Sequence, residues 1–444
     1  MYLKRNIDEY LKNWKADKDR KPLIIKGARQ IGKTESIRNF ARSNYSNFIE
    51  INFIEQPAYK TITEDGYSPE AILKVMSRLN PSLKFIPGET LIFFDEIQDF
   101  PDITTSLKFF CIDGKYDVIM SGSMLGINYN TIRSNSVGYK SDYTMYSLDF
   151  FEFLLAKGYD EKIKAEILDY MINHKPMPQS LLDTMFSCFL DYTILGGMPE
   201  VVSKYISTNT FSGTLETQRQ IITDYKEDIR KYAEGTEQTR ILRVFDSIPA
   251  QLAKDNKKFQ LSTVEKKARF SDYVGCVEWI ADAGIAIKCN MLNYPELPIN
   301  GNTDSEKFKI YFADTGLFIS MLDDEAADDL RQNKNFDIYK GALYENLTAE
   351  ALLKIGLPIC YYKKENSTLE EDFFIRDQKN LIPLEVKSAN GRSKSLSQLI
   401  KSDAYPDIKY GIKLAHANIG FANNVYTFPY FCAFLLKDYI HGKK

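Results

Sequence analysis

Short apolar runs alternate with helically spaced stretches through the first part of the chain. "PLIIKG" (22–27), "NFIEINF" (47–53), "TLIFFDE" (90–96) and "YDVIMSGS" (116–123) concentrate β-branched and aromatic residues, which predicts strands. Between them, "KTESIRNFARSNY" (33–45) and "ITTSLKFFCIDG" (103–114) space their apolar residues as helices do. Strands separated by helices build βαβ units and a parallel sheet. The unbroken "LIFF" suits a strand covered on both faces. A further run, "DYTMYSLDFFEFLLAKGY" (142–159), reads as a last strand feeding a helix.

From about residue 155 the pattern turns helical, with candidates at 160–173, 179–195, 216–233, 238–254 and 271–284. The stretch 254–290 reads as turn, helix, turn, helix, strand, the order of a winged helix-turn-helix. Beyond it, "PINGNTDSEK" (298–307) is the most loop-like segment and marks an expected boundary. "ICYYKKE", "EDFFIRD" and "LIPLEVKSA" predict strands of one mixed sheet, preceded by an amphipathic helix in "GALYENLTAEALLKIGL" (341–357). "GGMPE" (196–200) and "DTGL" (314–317) read as turns, with Gly197 and Gly316 expected at positive φ.

Composition narrows the classes. The 444 residues exceed one ordinary domain, and 44% hydrophobic with 26% charged content is that of globular domains with real cores. A formal charge of -3 argues against a uniformly basic nucleic-acid coat and leaves local patches to decide binding. Six scattered cysteines without a CxxC, and an opening stretch without an apolar core, lead us to expect reduced thiols and a cytoplasmic protein. No apolar run reaches the roughly 18 residues of a spanning helix, so no membrane partner is expected.

"GARQIGKT" fits G-x-x-x-x-G-K-[ST], a loop from Gly27 through Ala28, Arg29, Gln30, Ile31, Gly32, Lys33 and Thr34 to Glu35. Phosphate oxygens need converging backbone N–H groups, and glycine permits their close approach. Lys33 would balance the phosphate charge, and the Thr34 hydroxyl would ligate Mg²⁺, so ATP and Mg²⁺ are the expected ligands. "TLIFFDEIQ" ends a strand on Asp95 and Glu96 at the carboxyl edge of the sheet, where open α/β folds bind ligands. Asp95 is the candidate metal ligand and Glu96 the candidate general base. Ser121 or Ser123, ending the next strand, is the candidate γ-phosphate sensor.

With these motifs in place, "GARQIGKT", "FFDEIQDFPD", "SLKFF" and "VIMSGSMLG" resemble the AAA-type P-loop domain of bacterial and archaeal ATP-binding proteins that carry a C-terminal domain of unknown function. "GGMPEVV", "KFKIYFADTGLFISML", "GALYENLTAEALL" and "IPLEVKS" resemble that partner domain in order and wording. The resemblance implies ATP hydrolysis. One departure stands out: where the family often shows Gly-Arg, this chain has Tyr139, which removes the position of a transition-state arginine. Lys140 and Arg133 are the nearby cations that could replace it.

A second constellation lies in "EEDFFIRDQKNLIPLEVKSANGRSKSL". Strand alternation puts Glu385 and Lys387 on one face, and a hairpin would bring Asp372 beside them. Two carboxylates and a lysine suit an Mg²⁺ site that hydrolyses phosphodiesters, with Glu345 as a further carboxylate. The pattern resembles the D…ExK core of restriction-endonuclease-like folds, some of which keep the fold for binding alone. Upstream, Lys254, Lys257, Lys258, Lys266, Lys267 and Arg269 crowd the winged-helix region against Asp255 and Glu265. Such a patch suits phosphate neutralisation on DNA; the competing reading is a solvated face or a protein-interaction lid.

The expected architecture is therefore α/β throughout. A P-loop domain occupies 1–155, a helical lid with a winged helix 156–300, and a restriction-endonuclease-like domain 301–444. The leading functional expectation is an Mg²⁺-dependent ATPase coupled to a DNA-binding or nuclease-like module. The alternative is a nucleotide-dependent switch with little turnover, an inactive nuclease-like domain, and a second copy or another protein as partner.

Overall fold

A computed structural model describes residues 2–123, 136–233, 235–254, 257–266, 268–332, 337–387 and 393–442. Arg133, Asp255 and Lys267 lie outside the described residues. The chain divides into two compact units. One comprises Met1–Ser147 with Lys231–Ala233 and Asp282–Gly284; the other comprises Leu148–Arg230, Glu234–Ala281 and Ile285–Lys444.

In the first unit five strands form one sheet: β1 (Leu23–Gly27), β2 (Asn47–Asn52), β3 (Thr90–Asp95), β4 (Asp117–Ser123) and β5 (Ser141–Thr144). All pairs are parallel, in the order β2-β3-β4-β1-β5. Every residue of β3 is buried, as expected for an apolar strand covered on both faces. Ile49, Ile51, Ile92 and Phe94 pack with Ile72, Met76, Leu107 and Phe110 in one core. Parallel pairing brings the carboxyl ends of β1, β3 and β4 to the same edge, where the loop after β1 also begins. The charged opening stretch supplies a helix, Asn6–Ala16, that burial of Ile7, Leu11 and Trp14 holds in place. Their spacing repeats at about one helical turn, so one apolar stripe survives among the charges.

The chain from 150 to 282 is largely helical, in Phe150–Ala156, Lys162–Ile172, Gln179–Leu195, Pro199–Thr208, Thr214–Tyr232, Gly235–Leu252 and Val274–Asp282. In the stretch read as a winged helix, the first helix is a single turn, Leu261–Val264. A 3₁₀ turn at Phe270–Asp272 then precedes Val274–Asp282.

Two further sheets complete the second unit. One runs β7-β6-β8-β9, with β6 (Ala286–Leu292), β7 (Thr303–Phe312), β8 (Cys360–Lys363) and β9 (Glu370–Glu371). β6 and β7 form an antiparallel hairpin that pairs Ala286 with Phe312. The segment 298–307 is therefore a hairpin turn together with the start of β7. It reads as loop because the first half of β7 is largely solvent-facing and polar. The other sheet runs β10-β11-β12-β14-β13, with β10 (Phe373–Arg376), β11 (Leu381–Lys387), β12 (Gly411–Ala415), β13 (Gly420–Ala422) and β14 (Val425–Pro429). It is mixed, antiparallel at β10–β11 and β13–β14 and parallel in between. "ICYYKKE" gives β8, which pairs with β6 and, through Tyr362 opposite Glu371, with β9 at the head of "EDFFIRD", whereas β10 and β11 lie in the other sheet. Partner choice is tertiary and leaves no local pattern.

The glycines of "GGMPE" and "DTGL" meet in the second unit. Gly197 N donates to Asp314 Oδ2 at 2.8 Å. A Cβ on Gly197 would stand 2.0 Å from Leu148 O, and one on Gly316 2.3 Å from Leu195 O. Positive φ belongs to Gly196 (+70°); Gly197 and Gly316 instead admit close backbone approach, which corrects the expectation for both.

Candidate functional site

The loop after β1 is shaped by local backbone geometry. Gly27 has φ +151°, and a Cβ there would lie 2.2 Å from Met145 O. Gln30 (φ 62°) and Gly32 (φ 91°) are left-handed, turning the chain sharply into the helix Lys33–Asn44. Arg5, buried and far upstream, clamps the loop: Nη1 donates to Ile31 O at 2.8 Å and Nη2 to Tyr146 O at 2.7 Å. Nothing in the sequence marked this lone arginine. Arg29 Nη2 donates to the hydroxyl of Tyr232, within the short segment that belongs to the first unit, at 2.7 Å. Ala28 and Ile31 are buried, while Glu35 is exposed and faces Arg42 at 3.9 Å.

Lys33 Nζ donates to Gly27 O at 3.1 Å and Ala28 O at 2.7 Å. Burial pulls its pKa down to about 8, although Glu96 and Asp95 favour its charge. Thr34 Oγ1 donates to Asp95 Oδ2 at 2.9 Å. The other oxygen of Asp95 accepts from the Ser121 hydroxyl and from Glu96 N at 3.0 Å. Burial raises the Asp95 pKa, and the Ser121 bond opposes that rise. Glu96 itself stands at φ 57°, a conformation uncommon for a residue with a side chain. Of the two candidate serines, Ser121 reaches Asp95 by its side chain. Ser123 instead offers its backbone N–H to Gln98 Oε1 at 3.2 Å. Gln98, absent from the motif reading, also donates from Nε2 to Glu96 Oε2.

These residues fit Mg²⁺ and a nucleotide on structural grounds. Mg²⁺ is commonly held by one or two protein oxygens together with phosphates and water. Asp95 supplies a buried carboxylate with Thr34 hydrogen-bonded to it, and Lys33 supplies the cation at a loop whose glycine a side chain would block. Near the arginine gap, Tyr139 lies with Lys108 Nζ 5.4 Å from its ring centroid, and Lys140 is ion-paired with Asp142.

The second constellation comes together around Lys387. Register pairs Phe373 with Leu384, which sets Asp372 and Glu385 side by side at the end of the β10–β11 hairpin. Asp372 Oδ2 accepts from Val386 N at 2.9 Å, and Lys387 Nζ lies 2.5 Å from Glu385 Oε1. Glu345 is buried and bound by Lys257 and, at 3.0 Å, by Lys309. Lys309, almost wholly buried, also reaches Glu370 at 3.2 Å. Burial works against the Glu345 charge, yet Lys257 and Lys309 hold its pKa down at about 2. Asp372 moves the other way, to about 6, through burial and the neighbouring Glu345. Neither carboxylate oxygen of buried Glu371 has a hydrogen-bond partner among the described residues, and burial with Glu385 and Asp372 nearby raises its pKa well above the usual range. Sequence reasoning missed Lys309, Glu370 and Glu371; a lysine inside an apolar strand was the one available signal. Among the described residues, no group of three or more His, Cys, Asp or Glu side chains is arranged to hold a metal ion.

The basic patch is partly spent internally. Lys254 donates to Gln260 Oε1 and to Thr263, and Lys257 pairs with Glu345. Lys266 and Arg269 are exposed. Among the described residues no helix is long and apolar enough to cross a membrane.

Comparison with known proteins agrees with the first unit's geometry. Residues 19–154 match a family model described as an AAA domain. This segment is an AAA domain. Residues 188–328 match a domain of unknown function (DUF8612) and residues 340–432 another domain of unknown function (DUF4143). No curated protein matches the chain. Solved structures similar in part include PCH-2 of C. elegans, at 11% identity and TM-score 0.26, over 45% of this chain and 59% of that one. The Aeropyrum pernix ORC1 protein in complex with DNA is similar at 11% identity and TM-score 0.30, over 74% and 91%. The chain thus spans 59% of the length of the PCH-2 chain. Likenesses this slight carry no argument about what the present chain binds.

The depressed Lys33 pKa generates a prediction for the AAA domain. Phosphate anions favour the charged ammonium, so above about pH 8 nucleotide binding should draw a proton onto Lys33. Calorimetry of ATP binding in buffers of different ionisation enthalpy should show proton uptake at about pH 9 that is absent at about pH 6.5. Lys33→Arg, which stays charged at both pH values, should still bind ATP and abolish that uptake; equal uptake in the variant would refute the assignment.

Proposed function

We propose that the protein is an Mg²⁺-dependent ATPase whose hydrolysis acts on a second unit that works by binding, with its nuclease-like carboxylate constellation inactive. The observation carrying the first half is the Thr34–Asp95–Ser121 bridge, which links the phosphate loop to the ends of β3 and β4. Backbone N–H groups from Gly27 to Thr34 and the helix N-terminus would receive the phosphates. Lys33 would offset their charge. Thr34 and Asp95 would hold Mg²⁺, which when bound stabilises negative charge on the phosphate oxygens. Glu96, at the edge of the sheet, would orient and deprotonate the attacking water. The position where the family often shows an arginine holds Tyr139, and the described cation beside it, Lys140, is paired with Asp142. This favours slow turnover, the rate of a switch more than that of a motor.

Charge balance supports the second half. Lys257, Lys309, Lys363 and Lys387 stand against the carboxylates of Glu345, Glu370, Asp372 and Glu385, while burial favours the protonated, neutral form of the fifth carboxyl, Glu371. A site neutralised by its own lysines offers a divalent cation little net field. Of the described basic residues of the winged-helix region, Lys254 and Lys257 are engaged within the protein, while Lys266 and Arg269 are exposed for any DNA contact.

Steady-state ATPase assays test the first half. Glu96→Gln should lower kcat by about 10²–10⁴-fold while nucleotide still binds, and Lys33→Ala should lose binding. Unchanged turnover in Glu96→Gln would overturn the assignment. For the second half, single- and double-stranded DNA incubated with Mg²⁺ or Mn²⁺ should remain uncut. Metal-dependent cleavage that disappears in Lys387→Ala would establish an active nuclease instead.

A further inference from the structure

Gln98 sits on the 3₁₀ turn Ile97–Asp99 immediately after β3 and is buried. Its amide makes two bonds in opposite directions. Nε2 donates to Glu96 Oε2, and Oε1 accepts from Ser123 N at 3.2 Å. The orientation is fixed chemically, because a backbone N–H needs an acceptor and a carboxylate needs a donor; turning the amide over would spoil both contacts. Room for the side chain comes from Gly122. A Cβ there would stand 2.9 Å from Gln98 Oε1 and 2.8 Å from Ile97 Cγ1. The end of β4 therefore touches both acidic residues of the site, Asp95 directly through Ser121 and Glu96 through Gln98.

We propose that Gln98 is a positioning residue for ATP hydrolysis: it holds Glu96 by one carboxylate oxygen and ties that orientation to the backbone at the end of β4. The inference rests on the ATPase reading above and deepens it. Glu96 sits on an unusual backbone turn with a flexible side chain, and an ion of that kind samples several rotamers unless something holds it. One fixed oxygen leaves the other to meet the attacking water. A displacement at the end of β4 would be transmitted to the base through one rigid amide. Misplacing a catalytic group by about an ångström costs about 10²-fold, so the effect of this link falls on turnover and not on binding.

The test compares Gln98→Glu and Gln98→Ala with the full-length wild type, measuring kcat, KM and the equilibrium affinity for ATP. Gln98→Glu keeps the shape and the acceptor for Ser123 N but replaces the donor to Glu96 with a like charge. It should lower kcat by about tenfold or more with ATP affinity within about twofold, and Gln98→Ala should do the same. Folding is checked by thermal melting, and Gln98→Glu covers the case in which the alanine variant unfolds. Wild-type kcat in Gln98→Glu would overturn the proposal, as would a loss confined to KM, because packing alone would then account for the residue. If the wild type binds ATP but turns none over, the ATPase reading itself fails and the proposal falls with it.

Discussion

Asp95 is the constraint on which the candidate site depends. A carboxylate this buried is costly unless its oxygens are satisfied, and here three donors do so: Thr34 from the phosphate loop, Ser121 from β4 and the N–H of Glu96. Those donors come from segments far apart in sequence. Only a parallel sheet with β4 between β1 and β3 brings them to one edge. The fold and the site are thus the same arrangement seen at two scales.

Around Asp95, polar groups acquire their roles from how they are held. Lys33 is turned onto the carbonyls of its own loop, and the loop is pinned by Arg5. Glu96 is offered to the site by a left-handed backbone turn, and Gln98 restrains it. The second unit uses similar chemistry to a different end. Lys309 and Lys257 close around Glu345 as an internal ion-pair network, and removing one partner of such a pair leaves a buried charge at a cost of about 3–5 kcal/mol. That network accounts for a lysine in the otherwise apolar inner half of β7. Of the carboxylates that look catalytic in sequence, Glu345 faces Lys257 and Lys309, and Glu385 faces Lys387.

Much of the first unit was legible because its physics is local. Strands buried on both faces must be continuous apolar runs, as "LIFF" is, and a phosphate loop needs glycine at Gly27 and Gly32 for steric reasons visible in the motif. The hairpin that sets Asp372 beside Glu385 was legible for the same reason, since two strands flank a short polar turn. Long-range choices left no trace. Nothing in "KDNKK" shows that Lys257 reaches Glu345, 88 residues on, and nothing in "MYLKRN" singles out Arg5. β8 looked like a partner of β10 and β11 because strand propensity does not specify a neighbour. Gln98 was hidden by its type, because a glutamine on a turn is most often a solvated surface residue.

The central claim is that Asp95, bridged to Thr34, forms the Mg²⁺ seat of the nucleotide site. The most direct measurement is the equilibrium affinity for ATP with and without Mg²⁺ in the wild type and in Asp95→Asn, which keeps the shape and removes the charge. The account predicts that Mg²⁺ tightens wild-type binding by about tenfold or more and changes the variant by less than about twofold. Equal tightening in both proteins would contradict it.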